Sequence, residues 1–406
     1  MIAVPRPWLI ALLLLVMTPW IVIGVMFASR SDATASANHE DAAPSTTTAS
    51  GPWGRLTMSP LVVSPPIEYV STQFDPVEPS VWRLPHVTVD ELTAFLAATG
   101  MARPDLDSIR ATARPDAAIK GVVASPDPGL LRRLDPAMRS RIYVTLGRTT
   151  QNPAHAHSYR FLGRSAEDWL GGSSIASRTR ALVEPLIYAN DGFLHFADLD
   201  LIRSELDQEE LLRLVKVLNR HATMAISLSI DDVAQVAAVA EYWGRGGRRT
   251  DVRPLLESIA SRGPGGSIDI VHLLPAFGRD HLYRYPRITA ADLDRPVIAN
   301  CLWTALNFFS QEPDDRFLDV PHALDTLRRD YYIIEQNFQL GDIIAFVDRE
   351  GDIFHAAVYL AGNLVFSKNG TSPLAPWTIM SIDQVEGFYD TRAEEPQRIV
   401  HRRKDL

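Results

Sequence analysis

The chain has 406 residues, 46% of them hydrophobic and 22% charged, an ordinary globular composition. Its 49 acidic residues outweigh 40 lysines and arginines, and the net charge of −9 with no basic block argues against nucleic acid as a partner. The one cysteine, Cys301, excludes an intramolecular disulfide and a cysteine-based zinc site.

Residues 8–28 (WLIALLLLVMTPWIVIGVMFA) carry no charge and, at about 20 residues, are long enough to cross a bilayer as a helix. Arg6 in the short leader favours a cytoplasmic N-terminus. Residues 1–28 are therefore expected to be a signal anchor or a cleaved signal peptide. Either places residues 57–406 outside the cytoplasmic (inner) membrane of a bacterium, in the periplasm or extracytoplasmic space. Residues 29–56, rich in Ser, Thr, Ala and Pro, read as a flexible linker.

The proline-rich residues 58–84 suggest an extended segment. Thr88-Val89-Asp90-Glu91 matches a capping box for a helix ending at Gly100. Residues 101–139 have weak periodicity and receive no element. Residues 142–146, 182–188 and 193–199 read as strands, the last two joined at Asn190-Asp191-Gly192. Helices are expected over 205–220, 231–243 and 252–261, and β-prone runs over 223–230 and 267–274. This mixture makes residues 57–275 a mixed α/β (α+β) middle domain. His155 and His157 read as exposed loop histidines, residues 244–249 as a solvated turn, and His272 as a core residue, so no chemistry is assigned there.

Asn300 caps a short helix that begins at Cys301. Downstream, Gln339-Leu340-Gly341-Asp342 turns into a strand over 343–347, followed by strands over 353–360 and 364–368, an antiparallel meander. Alternation puts His355 on one face with Ala357 and Tyr359. A three-residue loop at 361–363 would pair His355 with Asn369, whereas a two-residue Gly362-Asn363 turn would shift the register. Thiol catalysis needs a thiolate, a histidine to take its proton, and a group that orients the histidine. Cys301, His355 and Asn369 are the candidates, with the Cys301 backbone N–H as an oxyanion donor.

Cys301 opening an apolar helix, Gly341-Asp342-Ile343 leading a strand, and His355 followed by Ala-Ala-Val-Tyr-Leu together resemble the NlpC-like family of papain-fold cell-wall cysteine peptidases. Asn300-Cys301-Leu302-Trp303 stands where that family usually reads Asp-Cys-Ser-Gly. The resemblance implies that residues 276–406 form a papain-like domain with the Cys-bearing helix packed on an antiparallel sheet. It also implies hydrolysis of peptide or amide bonds, with a peptide or peptidoglycan-like substrate and no metal or organic cofactor. Tyr283 or Tyr285 would supply a second oxyanion donor. The alternatives are an inactive binding module on the same fold, expected if Leu302 or Trp303 caps the sulfur, and a Cys-dependent acyl or amide transferase.

Overall fold

The computed structural model describes residues 46–47, 50–70, 80–230, 232–263, 265–287, 299–389 and 397–406. The expected anchor at 8–28 and most of the linker lie outside them. The Thr88 capping box forms as expected: Thr88 Oγ1 accepts from Glu91 N at 3.3 Å and the Glu91 carboxylate accepts from Thr88 N at 2.7 Å, opening the helix Val89–Ala98. Aspartate followed by proline starts two helices that periodicity did not reveal. Asp127 caps Pro128–Arg133 and Asp135 caps Pro136–Gly147, the proline losing nothing because the first helical N–H has no partner within the helix.

The second of these overturns the expected strand at 142–146. Ile142, Tyr143 and Leu146 are buried at helical spacing. The expected strand at 182–188 likewise becomes the end of the helix Ser177–Val183 and a 3-10 turn, Glu184–Leu186, around Pro185. The run 267–274 stays extended only over Ser267–Asp269, after which Asp269 caps the 3-10 turn Ile270–Leu273 and His272 is exposed rather than in the core.

β1 (Thr46–Thr47) pairs with β2 (Arg55–Val63), which is a regular strand and not merely a proline-rich extended segment. β3 (Trp82–Pro85), β4 (Arg114–Asp116) and β5 (Gly121–Ala124) form a sheet in the order β3-β5-β4. β6 (Tyr159–Leu162), β7 (Tyr188–Asn190) and β8 (Phe193–Phe196) form another, β6-β8-β7. Asp191 and Gly192, at φ 48° and 79°, make the tight hairpin between β7 and β8 that the sequence predicts. β9 (His221–Ser229) runs antiparallel to β2 along its whole length, and β10 (Ser267–Asp269) completes a sheet ordered β1-β2-β9-β10. The last strands are β11 (Tyr331–Ile334), β12 (Ile343–Val347), β13 (Ile353–Ala361), β14 (Leu364–Lys368), β15 (Trp377–Ser381) and β16 (Gln397–Arg403). They form a six-stranded antiparallel sheet in the order β11-β16-β12-β13-β14-β15.

The expected architecture of a middle domain followed by a separate papain-like domain needs correction, while the expected anchor lies outside the described residues. Among the described residues no helix is long and apolar enough to cross a membrane. Nor does a core boundary fall near residue 276. One continuous apolar core joins Leu56, Ile226 and Leu228 of the β2-β9 sheet to Trp243, Leu302, Trp303, Val358 and Phe366, and all described residues belong to one compact unit. The described residues form a single mixed α/β assembly of antiparallel sheets. The Gly244–Arg249 turn is part of its joinery rather than a solvated loop: Arg245 donates to Leu340 O at 3.0 Å and Arg248 to Leu273 O at 2.9 Å.

The six-stranded sheet has an apolar layer on each face. One face, with Ala356, Val358 and Phe366, meets the helix Cys301–Leu306. The other, with Phe346, Ala357, Tyr359 and Val365, is covered by the helix Ile382–Tyr389 and Phe193. Gly341, at φ 89°, lets the turn before β12 close on Phe309, whose ring would lie 2.1 Å from any added Cβ.

Three partly or fully buried histidines carry a pH dependence. Burial pushes His155, His195 and His221 down to about 4, with the cations Arg139, Arg160 and Lys368 respectively adding to the effect. Their unfolded forms take a proton near pH 6.5, so stability is complete above that value and falls as pH drops from 6.5 towards 4. The loss is up to about 1.4 kcal/mol per pH unit for each histidine. Urea unfolding at pH 7 and pH 5 checks this, and an unchanged midpoint would contradict it.

Candidate functional site

The Asn300 side chain accepts from Trp303 N at 2.8 Å and starts the helix Cys301–Leu306. Leu302 and Trp303 are buried in the core, Trp303 lying edge-on to Phe277 at 5.1 Å, so neither is an exposed cap over the sulfur. Cys301 itself remains only partly buried. Burial raises its thiol pKa, while the backbone N–H groups of Ala356, Leu302 and Cys301 and the charge of Lys368 pull it back down.

The hairpin between β13 and β14 combines both registers weighed from the sequence. Its turn has two residues, Gly362 and Asn363, but a bulge between Tyr359 and Ala361 restores the pairing Tyr359↔Val365 and Val358↔Phe366. Continued down the ladder, that register sets Ala356 opposite Lys368 and His355 opposite Asn369. His355 and Asn369 meet through an intermediary: His355 Nε2 lies 3.0 Å from Ser367 Oγ, and Ser367 Oγ donates to Asn369 Oδ1 at 2.8 Å. Because the single hydroxyl hydrogen goes to Asn369, Nε2 must carry the hydrogen of the His355–Ser367 bond.

This chain of polar groups faces away from Cys301. His355 is fully buried, stacked on Tyr389 at 4.4 Å and lying beside Phe346 at 5.7 Å, on the face covered by the helix Ile382–Tyr389. Cys301 packs on the opposite face, with Ala356. The sheet thus brings His355 and Asn369 together and keeps both apart from the sulfur. Tyr283 and Tyr285 are committed elsewhere, their hydroxyls donating to Met224 O at 2.6 Å and Val63 O at 3.2 Å.

What the sheet does present to Cys301 is Lys368, a lysine with no exposed surface. Its Nζ donates to Gly370 O at 2.8 Å and Ser372 O at 3.2 Å and stands 5.6 Å from the centre of the Trp377 ring. Burial depresses its pKa to about 7, against the opposing pull of Cys301. A neutral amine has two hydrogens and one lone pair. The two carbonyls occupy the hydrogens and leave the lone pair free. Trp377 is held in turn by its Nε1, which donates to Thr304 Oγ1 on the Cys301 helix at 3.0 Å. His221 lies within electrostatic reach of Lys368, and its Nδ1 donates to Asn219 O at 3.1 Å, which leaves Nε2 as an acceptor. Neither Lys368 nor His221 was singled out from sequence. The one signal available was a lysine, rare in this chain, ending the apolar run LVFSK.

The site is therefore a thiol and a buried amine of near-neutral pKa on one sheet face, in a mixed α/β protein. Comparison with family models, with curated proteins and with solved structures finds no match to the chain. The NlpC-like resemblance rests on the residues that carry it.

Proposed function

We propose that the chain is a cysteine-dependent hydrolase of amide or peptide bonds in which Cys301 is the nucleophile and Lys368, rather than His355, takes its proton. The observation that carries this reading is the buried Lys368 amine, at about pKa 7, on the same sheet face as the partly buried Cys301. Near pH 7 a large fraction of Lys368 is neutral and able to accept the thiol proton. The thiolate then bonds to the carbonyl carbon and the π electrons move to oxygen, where the Cys301 N–H can meet the charge. Collapse expels the amine, which takes its proton from the Lys368 ammonium. Water, deprotonated by the Lys368 amine, then bonds to the thioester carbon; collapse breaks the C–S bond, frees the carboxylic acid and returns the proton from the Lys368 ammonium to the Cys301 thiolate.

Acylation by p-nitrophenyl acetate tests the proposal. One acetyl group is expected on Cys301 by mass spectrometry, absent in Cys301→Ala and lost with time in buffer. Persistence of the adduct in water but rapid loss to added glycinamide would favour acyl transfer. The raised thiol pKa favours the inactive binding module, and a Cys301 that takes no label until the fold melts would support that second reading.

A further inference from the structure

The six-stranded sheet has two edges, and they differ. β15 is closed off: Tyr283 N donates to Trp377 O at 2.9 Å and Trp377 N to Arg284 O at 3.1 Å. At the other edge, among the described residues, β11 pairs only with β16. Edge strands are ordinarily blunted by a lysine, a proline or a bulge. β11 reads Tyr-Tyr-Ile-Ile, with Tyr332 45% and Ile333 64% exposed.

The ladder decides which backbone groups point outward. Lys404 N donates to Asp330 O at 3.0 Å, so 330 and 404 are a hydrogen-bonded pair. By antiparallel alternation 332/402 and 334/400 are the next such pairs, and the N–H and C=O of Ile333 face away from β16. The residue offering the free backbone pair is thus also among the most exposed large apolar residues. The flanks differ in charge: Arg328 and Arg329, with Asp330 between them and the strand, precede it together with Lys404 and Arg403 alongside, and exposed Glu335 follows it. Among the described residues the ion-pair partners are Asp325 for Arg328 and Asp330 for Arg329.

We propose that two copies of the chain pair through β11, antiparallel about a twofold axis at Ile333. Each Ile333 exchanges N–H···O=C bonds with its mate and buries its side chain against it. Tyr332 faces the partner's Ile334, and Glu335 of each copy reaches the arginine end of the other. A second copy fits better than an unrelated strand because antiparallel self-pairing sets the basic flank against the acidic one at both ends. A twelve-stranded sheet continuous across the dimer results. This inference is independent of the reading of Cys301.

Sedimentation equilibrium on the full chain tests it. A dimer is expected at micromolar concentrations, a monomer for Ile333→Lys, and weakened pairing for Glu335→Arg that Arg329→Glu restores. The charge-swap pair keeps the proposal testable should Ile333→Lys fail to fold. Hydrogen exchange at the Ile333 amide is expected to slow as the dimer forms. A chain that stays monomeric overturns the proposal. So does a dimer indifferent to Ile333→Lys and to both charge variants. A monomer whose Ile333 amide is nevertheless protected would show some other strand on this edge, and overturns it equally.

Discussion

Lys368→Met is expected to lower the rate of Cys301 acylation at pH 7 by roughly 10²- to 10⁴-fold, the usual contribution of a positioned proton acceptor. Methionine keeps most of the side-chain volume and removes the amine, so the layer formed by Ala356, Trp377 and the Cys301 helix should survive. Two carbonyls, Gly370 O and Ser372 O, lose their donor. They sit at a loop where solvent can replace it, which confines the fold's loss. Rates from p-nitrophenyl acetate at saturating enzyme, with thermal unfolding as the control, separate a chemical effect from a structural one. A Lys368→Met protein that is folded and acylated at the wild-type rate would remove Lys368 from the chemistry.

The largest effect on stability is expected at Asp342. Its carboxylate is 1% exposed and accepts from Arg402 Nε at 2.9 Å, Arg402 Nη2 at 2.7 Å, Arg245 Nη1 at 3.1 Å and Gln339 N at 2.7 Å. Its backbone continues the sheet, Tyr359 N donating to Asp342 O at 2.8 Å. Asp342→Ala leaves two guanidinium groups facing one another across an emptied pocket. Breaking a buried pair from one side costs roughly 3–5 kcal/mol, far more than the pair contributes net. Urea unfolding measures the difference. Asp325→Ala, at an exposed pair with Arg328, serves as a control expected to change stability by less than about 1 kcal/mol.

Much of the C-terminal sheet was legible in the chain. Gly341-Asp342, Glu350-Gly351 and Gly362-Asn363 mark the turns because each places glycine or asparagine where tight reversal is needed, and the strands between them fall where alternation puts them. The His355↔Asn369 register was legible too, since a bulge absorbed the shorter turn. The face was not. Ala356 and Ala357 are both small, so residue size gives no preference for which side of β13 receives the Cys301 helix, and one step of alternation decides between His355 and Lys368.

The helices Pro128–Arg133 and Pro136–Gly147 were hidden because their signal lies in Asp-Pro starts rather than in hydrophobic period. The shared core was hidden for a different reason. Leu56 and Phe366 belong to it together, and contacts across that separation leave no mark on local pattern.

The dependence of Cys301 alkylation by iodoacetamide on pH, in the wild type, Lys368→Met and His355→Gln, tests the central claim most directly. With Lys368 as proton acceptor, the wild-type rate rises through an inflection near pH 7. It is fully developed once the amine is neutral and is lost as pH falls and the amine protonates. Lys368→Met should abolish that inflection and leave a rise only in the alkaline range of the raised thiol, while His355→Gln keeps it. An inflection that survives Lys368→Met, or one that disappears in a folded His355→Gln protein, would contradict the assignment.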